Sequence, residues 1–301
     1  MCSKGKFTEN VIIENYVAVV TGANIGIGFE VAKEFNLRKA KVYMICRSEK
    51  NADAAIVQLE NLGCDSSRLH FIQCDFTSFK SVKNAANELL GLENHIDILV
   101  NNAAVLMPKF ELTEDGFEKT WQTNYLGPFL FTEILLPAIN KSENGGRIVN
   151  VSSIAHDRVD ILDFDQINNE NQFGEWKTYG ESKVANILHA RQLTRRLHES
   201  KSSVTINSLH PGIVNTDLLR NTVFAKPGVI AISRFLANIF LKSPLDGAQT
   251  VLYLALSEKV EGVSGKYFID CKLAKESKLA LNDQISEDLY NYSMEKVSKF
   301  L

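Results

Sequence analysis

The stretch from Val17 to Phe35, VAVVTGANIGIGFEVAKEF, decides the fold. It reads as a strand, a glycine-rich turn and a helix, in that order. The apolar run before the turn has the near-continuous valine-rich character of a strand covered on both faces. Gly22, Gly26 and Gly28 follow with the spacing TGxxxGxG, whose first gap is longer than in the commonest dinucleotide fingerprint. Glycine lets the chain turn tightly and lets a ligand approach the backbone. The helix beyond presents free N–H groups at its amino terminus, which suits a pyrophosphate. Gly22, Asn24, Gly26, Ile27 and Gly28 are therefore expected to form a phosphate-binding turn.

Working outward, strand-like runs alternate with helical patterns. The strands are YVAVVTG, KVYMICR, LHFIQCD, IDILVNN, RIVNVSS, VTINSLHPG and GKYFID, and helices are expected to begin near Gly28, Ser81, Gly116, Tyr179 and Leu245. That alternation predicts a doubly wound α/β fold, a parallel sheet with helices on both faces. With no Pro/Ser-rich linker, repeat or low-complexity tract, residues 1–301 read as one domain with an N-terminal extension over 1–15. Asn282 and Asp283 can cap a last helix over 282–300, with Ile285, Leu289, Tyr292 and Met294 as its apolar stripe.

Composition narrows the class. The chain of 301 residues is 45% hydrophobic and 23% charged, with a formal charge of -3. A pI near 6.1 gives no basic footprint for nucleic acid. Cys2, Cys46, Cys64, Cys74 and Cys271 are scattered without a CxxC pair or a zinc-like histidine spacing, so no metal site is expected and the thiols read as free in a reducing compartment. The amino terminus has no run long and apolar enough for a signal peptide or membrane span. The stretch Val223–Lys242 is apolar but broken by Lys226, Pro227 and Arg234, and reads as a helix rather than a span.

At the end of the second strand, where an acidic residue would favour an unphosphorylated ribose, stand Arg47 and Ser48. A guanidinium attracts a 2′-phosphate and can bind it through paired hydrogen bonds, which predicts NADP(H) over NAD(H); the other reading of Arg47 is a plain surface arginine. In TYGESKVANIL, Tyr179 and Lys183 stand one helical turn apart on one face. An ammonium there favours the phenolate, so the phenol is expected to lose its proton more readily than a free tyrosine.

These motifs, with CDF at Cys74–Phe76, NNAA at Asn101–Ala104, Asn124 in TNYLGPF and NVSS at Asn150–Ser153, resemble the short-chain dehydrogenase/reductase family from about Tyr16 to Asp270. RIVNVSSIAH, HPGIVNTDL, GAQTVLYLAL, SGKYFIDCK and the long insert between Ser153 and Tyr179 resemble its retinol dehydrogenase-like branch. The resemblance implies a Rossmann-type fold and a hydride transfer. Tyr179 would be the acid for carbonyl reduction or the base for alcohol oxidation. Lys183 would tune it and bind the nicotinamide ribose. Ser153, or alternatively Ser152, would hold the substrate oxygen, and Asn124 would hold a water that relays protons to Lys183. By the same resemblance Asp75 and Phe76 flank the adenine, Asn102 and Ala103 pass the adenosine ribose, and Pro211, Gly212, Val214 and Thr216 line the nicotinamide.

Two positions depart from the family pattern: Ala104 and Lys39 stand where glycine is frequent, and a left-handed cap at Lys39 would cost about 1 kcal/mol. Many retinol-branch members carry an N-terminal membrane anchor that is not read here, which argues for a cytoplasmic location, peripheral to membranes at most. Residues 223–242 are expected to form a substrate lid, where Phe224, Ile232, Phe235, Leu236, Ile239 and Phe240 would line an apolar pocket or rest on a membrane. The substrate class is then a lipophilic carbonyl or alcohol: retinoid, isoprenoid, fatty or steroid-like. The resemblance also admits a homodimer. Two other readings stay open: a catalytically silent NADP(H)-binding scaffold, and an epimerase or dehydratase of the extended relatives.

Overall fold

Strands and helices alternate through residues 5–214 and 242–301, the part of the chain that the computed structural model describes. The strands are β1 (Val17–Thr21), β2 (Lys41–Cys46), β3 (Leu69–Gln73), β4 (Ile98–Asn101), β5 (Arg147–Val151), β6 (Thr205–His210), β7 (Tyr267–Ile269) and β8 (Lys272–Leu273). They form one sheet in the order β3-β2-β1-β4-β5-β6-β7-β8. The first seven run parallel and β8 closes the edge antiparallel. In β1, Val19 pairs with Tyr43 of β2 on one side and Leu99 of β4 on the other. The order of connection therefore reverses at β1, which opens a crevice above its carboxyl end.

Seven helices of eight residues or more lie among the described residues: α1 (Gly26–Leu37), α2 (Glu49–Asn61), α3 (Phe79–Leu92), α4 (Gly127–Ile139), α5 (Glu175–Glu199), α6 (Pro244–Leu256) and α7 (Asp283–Val297). Side chains alternate across the sheet with the period of two that a strand imposes. Val17 and Val19 join one apolar layer with α3, α4, α5 and α7; Ala18 and Val20 join the other with α1, α2 and α6. Both faces of the sheet are covered, which is why its strands read as apolar runs. No helix among the described residues is long and apolar enough to cross a membrane.

The seven expected strands all form. Helix starts differ: α1 begins at Gly26, α3 at Phe79 and α5 at Glu175, each two to four residues before the expected residue. The helix expected near Gly116 starts at Lys119 instead, because Leu112 and Glu118 pair as an isolated bridge and the Glu118 side chain caps the Trp121 N–H. α2 and β8 were not anticipated. The buried face of α2 is Ala52, Ala55 and Leu59, too weakly apolar to stand out as a stripe. In α7 the buried face turns on Leu289, Tyr290 and Val297, with Ile285, Tyr292 and Met294 at its margins. The N-terminal extension is not detached: Phe7 and Ile13 are buried, and the Ile13 N–H donates to the Arg38 carbonyl. The expected lid at 223–242 lies outside the described residues except for Lys242, and Thr216 lies outside them too.

Candidate active site

A cleft of about 1220 Å³ runs along the carboxyl ends of the strands, from Arg47 and Asp75 at one end to Ser153, Tyr179 and Pro211 at the other. Of the described residues expected to form the site, nearly all line it. Gly28 and Asn124 do not.

The glycine turn has the geometry its spacing suggests. Gly22 and Gly26 have φ of 66° and 61°, the left-handed region that glycine enters at no steric cost. A Cβ on Gly22 would come within 3.0 Å of the Ala103 Cα. Gly28 plays a different part from the one expected. A Cβ there would stand 2.4 Å from the Gly22 carbonyl, so Gly28 lets α1 press against the turn and does not itself face the cleft. The first turn of α1 has no side-chain cap and no acidic residue, which leaves its amino-terminal N–H groups for an anion. Positive-φ glycines below an uncapped helix start fit a dinucleotide pyrophosphate, the group implied by the fold.

At the other end Arg47 is exposed on the cleft wall. Ser48 is partly engaged as the cap of α2, accepting from the Asn51 N–H at 3.4 Å. Arg47 and Ser48, and no carboxylate, stand immediately after β2, with Glu49 opening α2 beyond them. Asp75 accepts from the Thr77 N–H and hydroxyl through Oδ1, at 2.9 and 2.7 Å, which fixes its carboxylate at the rim. Asn102 Nδ2 donates to the Thr21 carbonyl at 2.8 Å, and the N–H groups of Asn102 and Ala103 both reach the Thr21 hydroxyl at 2.9 Å. Asn102 and Ala103 thus lock β4 to the glycine turn while lining the cleft. Ala104 is not in the left-handed region, so its methyl group meets no backbone strain.

At the reacting end the two serines separate. Ser152 is buried and its hydroxyl donates to the Lys183 carbonyl at 2.7 Å. Ser153 is half-buried near the Tyr179 phenol, and its hydroxyl accepts from the Ala155 N–H at 3.2 Å. Tyr179 and Lys183 stand on α5 with the lysine nitrogen 5.5 Å from the centre of the tyrosine ring, and both line the cleft. The lysine ammonium donates to the Val151 carbonyl at 3.0 Å. Burial works against the expected easing of the phenol. It pushes Tyr179 up to about 12, with the Ser153 hydroxyl pulling the other way, and pushes Lys183 down to about 7. Desolvation by burial penalises both charged forms and is the largest cause at each residue.

Asn124 lies in a π-helical turn, Gln122–Leu126, ahead of α4. Its Oδ1 accepts from the Val105 N–H at 2.8 Å, and its Nδ2 donates to the Val105 carbonyl at 2.9 Å and to the Ser182 hydroxyl at 3.1 Å. It is buried behind the wall, bracing the β4 loop against α5, and it does not reach the Lys183 nitrogen directly. The π turn is a local irregularity of the kind found at functional sites. Sequence reasoning missed Asn51, Trp176 and His210 as wall residues. The first two carried a usable signal: Asn51 is three residues past a capping serine, and Trp176 is three before Tyr179 on the same helix, its ring 6.2 Å from the phenol.

A family model described as short chain dehydrogenase matches residues 16–226. The chloroplastic short-chain dehydrogenase TIC 32 B of Brassica napus is 37% identical, over 96% of this chain and 91% of its own. Retinol dehydrogenase 11 of Mus musculus is 38% identical, over 97% and 90%. Among solved structures, an uncharacterised protein from Mycobacterium paratuberculosis superposes with a TM-score of 0.78 at 25% identity, covering 97% of this chain and 98% of that one.

Proposed function

The chain belongs to the short-chain dehydrogenase family of oxidoreductases, and on that premise we propose that it uses NADP(H) to interconvert a lipophilic carbonyl compound and its alcohol. The nicotinamide, when bound, supplies or accepts the hydride. Gly22, Asn24, Gly26 and Ile27 hold the pyrophosphate at the start of α1, and Arg47 with the start of α2 takes the 2′-phosphate. Asp75, Phe76, Asn102 and Ala103 border the adenosine, and Pro211, Gly212, Val214 and Thr216 border the nicotinamide. Ser153 holds the substrate oxygen, and Tyr179 gives that oxygen a proton during reduction or takes one during oxidation. Lys183 steadies the phenolate and the ribose, and Asn124 serves the proton path by shaping the chain behind them.

One observation carries the reading: Ser153, Tyr179 and Lys183 meet in the same cleft that receives the glycine turn. The lipophilic substrate class is supported by the apolar wall of Met107, Ile154, Trp176 and Ile213 at the reacting end, and by relatives named retinol dehydrogenase. The wall rewards apolar area and leaves the chain shape open. The test is NADPH consumption with retinaldehyde, a fatty aldehyde, an isoprenoid aldehyde and a ketosteroid. Tyr179→Phe is expected to cut turnover by about 10²–10⁴-fold while NADPH still binds, as for loss of a general acid. If the parent binds NADPH and turns over none of the panel, the silent-scaffold reading replaces this one.

A further inference from the structure

Two histidines grip the peptide that follows Ser153, and we propose that they act as a clamp that sets the serine's orientation towards Tyr179. The inference rests on the reading of Ser153 as the group that holds the substrate oxygen.

The imidazole of His156 is fully buried. Its Nδ1 lies 2.7 Å from the Ser153 carbonyl oxygen, and its Nε2 lies 3.3 Å from the backbone nitrogen of Ser277. A backbone N–H can only donate, so Nε2 carries the lone pair and Nδ1 the hydrogen. His156 therefore donates to the Ser153 carbonyl. From the end of β6, His210 accepts the Ile154 N–H at its own Nδ1, 3.2 Å away, which puts its hydrogen on Nε2.

The Ser153 carbonyl and the Ile154 N–H belong to one planar peptide unit. One histidine donates to that plane and the other accepts from it, in opposite tautomers. A peptide held at both ends fixes the backbone rotation at Ser153, and with it the direction of a side chain that must face the phenol. Burial, reinforced by Lys242 and opposed by Asp270, pushes His210 down to about 4, so it remains an acceptor near neutral pH. The edge-on contact of His156 with the Tyr267 ring, 4.8 Å between centres, keeps the imidazole from turning. The Asp157 carboxylate lies 3.2 Å from His156 Nε2, an acceptor facing an acceptor, and it is half exposed to water. Through Ser277 the clamp is also tied to the segment that leads into α7. His156 touches no reacting atom and is a positioning residue; His210 holds Ser153 in the same way while lining the cleft.

The clamp makes a claim that can be read without turnover. In protein labelled with ¹⁵N-histidine, imidazole NMR of the six histidines, assigned by single variants, is expected to show His156 as the Nδ1–H form and His210 as the Nε2–H form near neutral pH. The reverse tautomers, or a charged His156, overturn the clamp. In turnover with NADPH and whichever aldehyde of the panel the parent reduces, His156→Phe keeps the ring but not the donor. It is expected to lose kcat on the order of 10²-fold, as a small misplacement of a reacting group does, with NADPH affinity unchanged. His156→Asn, whose amide can donate to the same carbonyl, is expected to restore most of that loss. A lowered melting temperature with full kcat in His156→Phe would mean that the ring only fills space, and the clamp fails. A parent that shows the two tautomers and reduces no aldehyde leaves the clamp standing and defeats the oxidoreductase reading instead.

Discussion

Tyr179 and Lys183 are both buried in the cleft wall, and burial disfavours the charged form of each. A phenol near 12 remains protonated at neutral pH, ready to donate to a developing alkoxide and reluctant to act as a base. Lys183 has an ordinary value of 10.5 when exposed and about 7 when buried here. Between those values the unfolded chain binds more protons than the folded one, so this residue's contribution to stability rises as pH rises from 7 to 10.5 and is lost as pH falls through that window. Lys183→Met removes the penalty. The variant is expected to gain denaturant resistance over the parent at pH 6, and the gain should shrink to a small remainder by about pH 10, where the folded lysine is neutral and the unfolded one begins to lose its proton. Urea midpoints at the two pH values read the difference. A constant gap would mean that the amine is charged and compensated in the folded protein, contrary to its burial. The sequence made Tyr179, Lys183 and Ser153 legible because one helical turn and one motif bring them together. It could not show the sign of the phenol shift, since desolvation depends on everything packed around the pair.

At the level of elements, α1 ends where glycine would be the usual choice. Lys39 has φ of 75°, its N–H donates to the Asn36 carbonyl at 2.8 Å, and the Ala40 N–H donates to the Phe35 carbonyl at 3.1 Å. These two bonds complete a Schellman closure around a residue with a Cβ. Lys39→Gly is expected to raise stability by up to about 1 kcal/mol, partly offset by the freer unfolded chain and the loss of the exposed pair with Glu14. Chemical denaturation measures it; a clear loss of stability would show that the lysine side chain contributes more than its backbone costs. This cap was legible because the family resemblance places a glycine where Lys39 stands. α2 was not, because alanines bury its face and serine caps it without an apolar signal. The π turn at Asn124 was hidden for another reason: its hydrogen bonds go to Val105 and Ser182, which only the folded chain brings near. α7 covers the outer faces of α4 and α5. The Tyr290 ring packs on Phe129 at 5.2 Å, its hydroxyl donates to Glu133 at 2.9 Å, and Arg196 lies 4.4 Å above it. A homodimer built on those two helices would have to displace α7 first.

Across the whole molecule, the cleft lies over the point where strand order reverses, so its walls come from both halves of the sheet. β1, β2 and β3 supply the turn, Arg47 and Asp75; β4, β5 and β6 supply Asn102, Ser153 and Pro211. Only the assembled sheet brings these groups together, and a dinucleotide laid along the cleft binds the folded state alone. Its binding must then stabilise the whole sheet by mass action. At a concentration of 100 Kd the gain is about 2.7 kcal/mol, which for a chain of 301 residues raises the melting temperature by roughly 4 °C. The Arg47 guanidinium at the end of β2, which makes no ion pair among the described residues, makes the expectation sharper. NADPH is expected to raise the melting temperature more than NADH at equal concentration, and Arg47→Asp should reverse the order, since a charge-assisted contact to phosphate is worth about 1.5–3 kcal/mol. Equal shifts in the parent would reduce Arg47 to a surface residue and leave the choice of cofactor to groups outside the described chain. No shift with either dinucleotide would mean that the glycine turn, despite its geometry, holds something else.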